Sequence, residues 1–241
     1  MSVSIAIVVP TWDNRGQLEP MLDSLLYHPD KSFGSHVYVV NNGKPGSCDF
    51  AKEKPYAGRV TIFEPGENLG WEGGLKHAIE LTDEPLILFC NDDVLFKRFC
   101  PEWLVRMSYL FVNRDVGAAG PLSNVVMGCQ NVAAGLGNVS SVRYLIGFCM
   151  LVRREALEKA GGIDTSLPGG DDIDLSIRLR KAGYRLMADP SSFVWHHGFG
   201  SGRRMHGDYY NSPAMTQATN DALIRKHGFK QWWLAIHQQL I

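Results

Sequence analysis

VSIAIVVPTWDNRGQLEPMLDSLL (residues 3–26) is followed ten residues later by HVYVVNNG (36–43), and together they decide the fold. Residues 3–9 form an unbroken apolar run closed by Pro10, which reads as a strand buried on both faces. Leu18, Met21, Leu22, Leu25 and Leu26 then recur at helical spacing. Residues 36–40 are apolar again and stop at Asn41, Asn42 and Gly43. Strand, helix, strand without alternation of polar and apolar residues is the pattern of a parallel sheet covered on both sides. The unit repeats outward: RVTIFE (59–64) reads as a strand, GGLKHAIEL (73–81) as a helix, PLILFC (85–90) as a strand and PEWLVRMSYLFVN (101–113) as a helix.

The second half is less regular. Residues 117–146, rich in Gly, Asn and Ser, read as loops with short strands. GFCMLV (147–152) reads as a strand, REALEKAGG (154–162) and DDIDLSIRLRKAGY (171–184) as helices, RLMA and FVWHH as short strands, and 209–228 as a terminal helix. The expected fold class is α/β, a three-layer α/β/α sandwich around a mostly parallel sheet. One domain is expected over 1–241, with 1–115 and 116–241 as its two halves.

Composition narrows the function. The chain has 241 residues, 45% hydrophobic and 20% charged, with net charge −1, so nothing marks it as a binder of nucleic acid. The opening lacks a basic n-region, and no apolar run reaches the length of a membrane span. The five cysteines form no CxxC and read as free thiols of a reducing compartment, which points to the cytoplasm. GxGxxG, GxxxxGK[ST] and GxSxG are absent, which excludes the common dinucleotide, P-loop and hydrolase readings.

In parallel sheets ligands bind beyond the carboxyl ends of the strands. Three such ends carry polar groups: Thr11 and Asp13, Asn41 and Asn42, and Asn91, Asp92 and Asp93. Ionised carboxylates at the end of a core strand need a partner. Asp93, Asp172 and His196 each stand near the end of an apolar segment and offer oxygen and imidazole donors suited to Mn²⁺ or Mg²⁺. Each feature also has a structural reading: an NDD turn caps, acidic residues suit a helix N-terminus, and histidines pack. Their joint order carries the weight.

That order resembles the inverting glycosyltransferases of family 2, with the GT-A fold, across residues 3–230. IVVPTWDNRGQLEPMLDSL is similar to the family's first strand and helix, VVNNG to its Val-Asp-Asn-Gly segment, and NLGWEGGLKHAI to its Asn-x-Gly segment. FCNDDV stands where the family has its DxD-type metal motif. GFCMLVRREALEKAGGID, GGDDIDLSIRLRKAGYRL and VWHHG match the second half, as in rhamnosyl and galactofuranosyl transferases. The resemblance implies transfer of a sugar from a UDP-, dTDP- or GDP-sugar to a glycan or lipid-linked acceptor, in polysaccharide biosynthesis. It makes Asp93 and His196 metal ligands and Asp172 the catalytic base, with Asp174 as the rival. Asn91 and Asp92 fall near donor ribose or phosphate. Pro10, Thr11, Asp13, Asn41, Asn42, Asn68 and Gly70 fall where the nucleotide is cradled. Arg203 and Arg204, in the glycine-rich HHGFGSGRRMHG, would neutralise the diphosphate on a loop closing over the donor. Lys76 either reaches the diphosphate or is a solvated helix lysine. Asn41 and Asp171 depart from the family's usual acids.

Two readings from other classes compete: a nucleotide-sugar-binding protein without catalysis, and a metal-dependent phosphoesterase. Among the tryptophans only Trp71, beside Gly70, invites a sugar-stacking role. The apolar end QWWLAIHQQLI (231–241) leaves packing on the domain, a homodimer contact and a peripheral contact with the inner face of a membrane open, with packing expected.

Overall fold

A computed structural model describes residues 4–27, 35–198, 204 and 207–241. Its centre is an eight-stranded sheet in the order β3-β2-β1-β4-β8-β6-β9-β7. These strands are β1 (Ile5–Thr11), β2 (Ser35–Asn41), β3 (Val60–Phe63), β4 (Leu86–Cys90), β6 (Val116–Leu122), β7 (Ser140–Val142), β8 (Cys149–Arg153) and β9 (Arg185–Phe193). β3, β2, β1 and β4 are mutually parallel; β8 is antiparallel to both β4 and β6, and β9 is parallel to β6. Six of the eight strands therefore run one way, and only β7 and β8 oppose them. A separate two-stranded unit pairs β5 (Val94–Leu95) with β10 (Trp195–His196).

Helices cover both faces. α1 (Arg15–Leu26) and α3 (Trp103–Tyr109) lie on one side, where Leu18, Met21, Leu22, Trp103 and Met107 join the core. α2 (Gly70–Glu80), α4 (Arg154–Lys159) and α5 (Asp171–Lys181) lie on the other, contributing Leu75, Ala78, Leu157, Leu175 and Leu179. Every residue of β1 is buried, as the continuous apolar run requires. Each such side chain contributes about 1.5–3 kcal/mol by leaving water. The chain ends in α6 (Pro213–His227) and α7 (Phe229–His237). α6 is capped by Ser212, whose hydroxyl accepts from Met215 N at 3.1 Å, with Pro213 in its first turn.

Residues 117–146 are loops with short strands, as expected, and the first of these, β6, is fully buried inside the sheet. Its sequence, VGAAGPL, lacks the large apolar residues that mark strands because its neighbours leave no room for them. A Cβ on Gly117 would lie 2.6 Å from Tyr184 Cβ, and one on Gly120 would lie 2.5 Å from Gln130 Nε2. RLMA, read as a short strand, opens the nine-residue strand β9, which runs on to Phe193, and FVWHH contains the two-residue strand β10. The terminal segment packs on the molecule as expected: Ala235 is buried, Gln239 Oε1 accepts from Cys129 N at 2.7 Å, and Ile241 N donates to Ser141 O. All five cysteines are free.

Candidate active site

The carboxyl ends of β1, β2 and β4 meet at one edge of the sheet. Thr11 and Asn41 are register partners, and Asn42 N donates to Thr11 O at 2.9 Å. Asn41 is buried and fully engaged. Its amide donates to Lys44 O and the Glu64 carboxylate, and its oxygen accepts from Gly43 N and Ser47 Oγ. Glu64, which the sequence reading passed over, ends the β3 segment and ties that strand to the turn. Asp13 arches over the turn in the left-handed region (φ 45°) and accepts from Lys44 N at 2.9 Å. The approach is tight enough to require Gly43, where a Cβ would lie 2.4 Å from Asp13 Oδ1 and 2.7 Å from its backbone N.

Asn42 reaches the other way. It donates to Gly70 O at 2.8 Å and accepts from Leu69 N, while Asn68 Oδ1 accepts from Gly70 N at 2.9 Å. The start of α2 is thereby clamped to the strand ends, and Gly74 faces Pro10, 3.0 Å from where a Cβ would stand. Pro10, Thr11, Asp13, Asn41, Asn42, Asn68 and Gly70 thus form one connected rim. Lys76 is exposed on α2. Arg204 donates to the carbonyls of Trp12 and Asp13 and lies over the Trp12 ring, so it meets this rim from the second half. Arg203 and the rest of the glycine-rich loop, 199–203 and 205–206, lie outside the described residues.

Asn91, Asp92 and Asp93 follow β4. Asp92 is buried and accepts from Thr11 Oγ1 at 2.6 Å. Burial pushes its carboxyl up to about 6, against the lowering effect of that hydrogen bond. Asp93 is brought to His196 by the β5–β10 pairing, in which Val94 opposes His196. His196 Nε2 stands 3.1 Å from Asp93 Oδ1 and 3.3 Å from Asn91 Nδ2, while Nδ1 lies 3.2 Å from Val125 O. The Val125 carbonyl can only accept, so Nδ1 carries a proton, and in the neutral imidazole Nε2 keeps its lone pair. Asp93 Oδ2 accepts from Gly198 N, but Asp93 Oδ1 is buried with no hydrogen-bond donor. Two buried lone-pair groups therefore face each other. An imidazole held by a backbone carbonyl behind it is the usual second-sphere arrangement of a metal ligand. Asn124, absent from the sequence-level candidates, fixes His196 by bonding its backbone on both sides. Among the described residues, no group of three or more His, Cys, Asp or Glu forms a metal cage.

Asp172 sits in the first turn of α5, entered through Gly170 (φ 72°), where α6 presses so closely that a Cβ would lie 2.9 Å from Thr219 Cγ2. Asp172 accepts from Gly147 N at 3.2 Å and Ile173 N at 2.8 Å. The adjoining Phe148 stacks on His196 and accepts from Asn91 N, so one dipeptide links the acid to the Asp93 cluster. Burial raises the Asp172 carboxyl, opposed by its backbone donors. Asp171 is held far above its usual range by burial and then by the charges of Asp172 and Glu72. Trp71, Phe89, Met150 and Leu175 wall a small pocket against these two acids. The Trp71 indole N–H in it is buried without an acceptor. Tyr210 lies within electrostatic reach of Asp93, Asp171 and Asp172, after a larger effect of burial. Glu72 and Tyr210 carry no motif and could be found only through the fold.

Asp174 is different in kind. It is fully buried and paired with Arg178 Nε at 2.8 Å, Lys226 Nζ at 2.6 Å and His227 Nε2 at 2.7 Å. It is a structural hub between α5 and α6.

This architecture, with polar strand ends on one side of the crevice and the acidic helix start on the other, is that of a GT-A glycosyltransferase. Residues 6–119 match the sequence model described as Glycosyl transferase family 2. An uncharacterized protein of Mycobacterium bovis is 24% identical over 243 residues, covering 94% of this chain and 87% of the relative. N-acetylglucosaminyl-diphospho-decaprenol L-rhamnosyltransferase of Mycobacterium tuberculosis is 44% identical over 57 residues, 23% of this chain and 19% of that protein. Mannosyltransferase PcManGT from Pyrobaculum calidifontis, in complex with GDP-Man and Mn²⁺, superposes with a TM-score of 0.68 at 18% identity, over 98% of this chain and 74% of that one. The match places residues 6–119 with glycosyl transferase family 2, and together with these similarities it makes the protein a transferase. No helix among the described residues is long and apolar enough to cross a membrane.

Proposed function

We propose that the protein transfers a sugar, with inversion, from a nucleoside-diphosphate donor to an acceptor hydroxyl, using a divalent cation and Asp172 as general base. The observation that carries this reading is the buried, donor-less Asp93 Oδ1 facing the Nε2 lone pair of His196. Those two atoms would hold Mn²⁺ or Mg²⁺. Bound there, the cation supplies positive charge to the departing diphosphate. The GDP-Man and Mn²⁺ held by the structurally similar mannosyltransferase support the same donor class here.

The chain's own residues do the rest. The rim from Pro10 to Gly70 shapes the nucleotide side, with 1–115 as its half of a single domain and 116–241 as the acceptor half. Asn91 and Asp92 face the donor ribose and phosphate, and Lys76 and Arg203 are assigned to the diphosphate. The acceptor oxygen bonds to the anomeric carbon as the bond from that carbon to the diphosphate oxygen breaks. The hydroxyl proton passes to an Asp172 carboxylate oxygen. Asp174 is spent on Lys226, Arg178 and His227, and ionisation of Asp171 is opposed by burial and by the charges of Asp172 and Glu72, so Asp172 is the acid of this helix start left to act as base. With Asp172 acting as base and not as nucleophile, the displacement is a single one and inverts the anomeric carbon.

Melting temperature with UDP, dTDP or GDP, each with and without Mn²⁺, tests the reading on wild type and Asp93→Ala. One nucleotide should stabilise the wild type only with metal, and the variant should lose the effect. No shift with any nucleotide, or an equal shift in the variant, would overturn it.

A further inference from the structure

The far end of α5 carries an arrangement that sugar transfer does not use. Residues 143–145 run beside the helix: Leu145 N donates to Ser176 Oγ at 3.1 Å, and Tyr144 packs with Ile177. Continued in the same sense, this brings Arg143 alongside Arg180, three residues further on. Arg143 N donates to Gln239 O at 2.7 Å, so the chain end borders the pair. Arg143 Nε is buried with no hydrogen-bond partner. Arg15, Arg106, Arg178 and Arg185 each have a carboxylate partner. Among the described residues, Arg143 and Arg180 have none. Burial, and then the charge of Arg143, pull Arg180 below the usual guanidinium range, so the pair is both desolvated and mutually repelling. A buried N–H without an acceptor and two like charges without a counter-ion both destabilise the fold, and a bound oxyanion offsets both.

We propose that Arg143 and Arg180 form a binding site for a phosphate-type anion at the β7 edge, separate from the transfer crevice. Arg180 is eight residues along α5 from Asp172, roughly 12 Å at the helical rise. Guanidinium groups present planar forks of donors suited to phosphate oxygens. The anion is either soluble phosphate or the phosphate of a lipid headgroup. The second source is relevant because Leu240 and Ile241, 54% and 63% exposed, lie beside β7 through the Val142–Leu240 bridge.

The test uses the full chain in buffer free of phosphate, sulfate and divalent metal, with Asp93→Ala as a second background in which the crevice cannot answer. Inorganic phosphate and pyrophosphate should raise the melting temperature saturably in both backgrounds. Arg143→Gln and Arg180→Gln should abolish the rise. Without anion, Arg180→Gln should melt no lower than wild type, because it removes a repulsion; a purely structural arginine would melt lower. Flotation with phosphatidylcholine vesicles, with and without phosphatidylglycerol, separates the sources. Binding that needs the anionic lipid and both arginines assigns the headgroup, whereas a phosphate shift without flotation assigns the free anion. Neither shift nor flotation, or responses unchanged in the arginine variants, overturns the site. A failed donor-site test with an intact phosphate response would leave this site standing.

Discussion

At the scale of single residues, Asp92 shows how the crevice is built against the preference of its own side chain. The carboxyl is buried beneath Thr11 and held up to about 6 by that burial. Its folded value exceeds the ordinary unfolded value near 3.9, so the folded state holds the proton more tightly. The stabilising contribution is therefore complete below about pH 4 and is lost as pH rises through 6, amounting to about 3 kcal/mol in the metal-free protein. Asp92→Asn keeps the shape and an acceptor for Thr11 but carries no charge. Its stability relative to wild type should improve between pH 4 and pH 7.5 by an amount approaching that figure, as read from urea midpoints. A constant difference at both pH values would mean that Asp92 is ionised in the folded protein throughout. Gly43 gives a second residue-level expectation. A methyl group there meets Asp13 backbone and carboxylate atoms well inside contact distance. Gly43→Ala should weaken the nucleotide-dependent melting shift by at least about tenfold in apparent affinity, equivalent to about 1.4 kcal/mol. The rim would move while the sheet core stays folded.

At the scale of elements, α5 is oriented by α6 through a charge hub that is hidden in the sequence. Lys226 and His227 in the last turn of α6 converge on Asp174, and Lys226 also bonds Asp164. Burial opposes ionisation of Asp174, yet its cationic partners win and hold it below the ordinary value, so this stability is present above about pH 4 and lost as pH falls through the lower folded value. Removing one partner from a buried ion cluster typically costs about 3–5 kcal/mol. Asp174→Asn should therefore lower the melting temperature by roughly 6–20 °C, at about 2–4 °C per kcal/mol for a chain of this size. Faster amide exchange along α6 should accompany it. Loss of activity without destabilisation would instead make Asp174 a chemical participant. The elements legible in the sequence were those whose burial is made by large side chains, β1, β2, β4 and α1 among them. β6 escaped because Gly117 and Gly120 are small for a packing reason that only Tyr184 and Gln130 reveal. The β5–β10 ladder, two residues on each side, is too short to leave a periodic pattern, although it is what brings Asp93 to His196. The two residues were legible as partners at one metal; the ladder that brings them together was not.

At the scale of the molecule, the sheet joins what the chain separates. Thr11 meets Asp92 across 81 positions, and Asp93 of the first half faces His196 of the second through the β5–β10 ladder. The crevice therefore exists only in the assembled sheet, and its acid–base behaviour belongs to the whole. Asp172 draws on that assembly: Gly147 N from the turn before β8 holds one oxygen, and burial against Trp71 and Asp171 raises its proton affinity. A base raised in this way takes the acceptor proton more readily but is itself protonated over a wider acid range. With donor and Mn²⁺ saturating, kcat should rise with pH along a limb whose midpoint lies above the ordinary carboxylate value near 3.9. Asp172→Asn should lower kcat by about 10²–10⁴-fold and remove the limb. The same variant should keep its nucleotide-dependent melting shift, because the amide preserves the fold and the donor rim is untouched. An Asp172→Asn enzyme that retains the ascending limb would move the base elsewhere on α5 or to Glu72. Loss of the melting shift together with kcat would mean that Asp172 shapes the donor side of the crevice and does not take the acceptor proton.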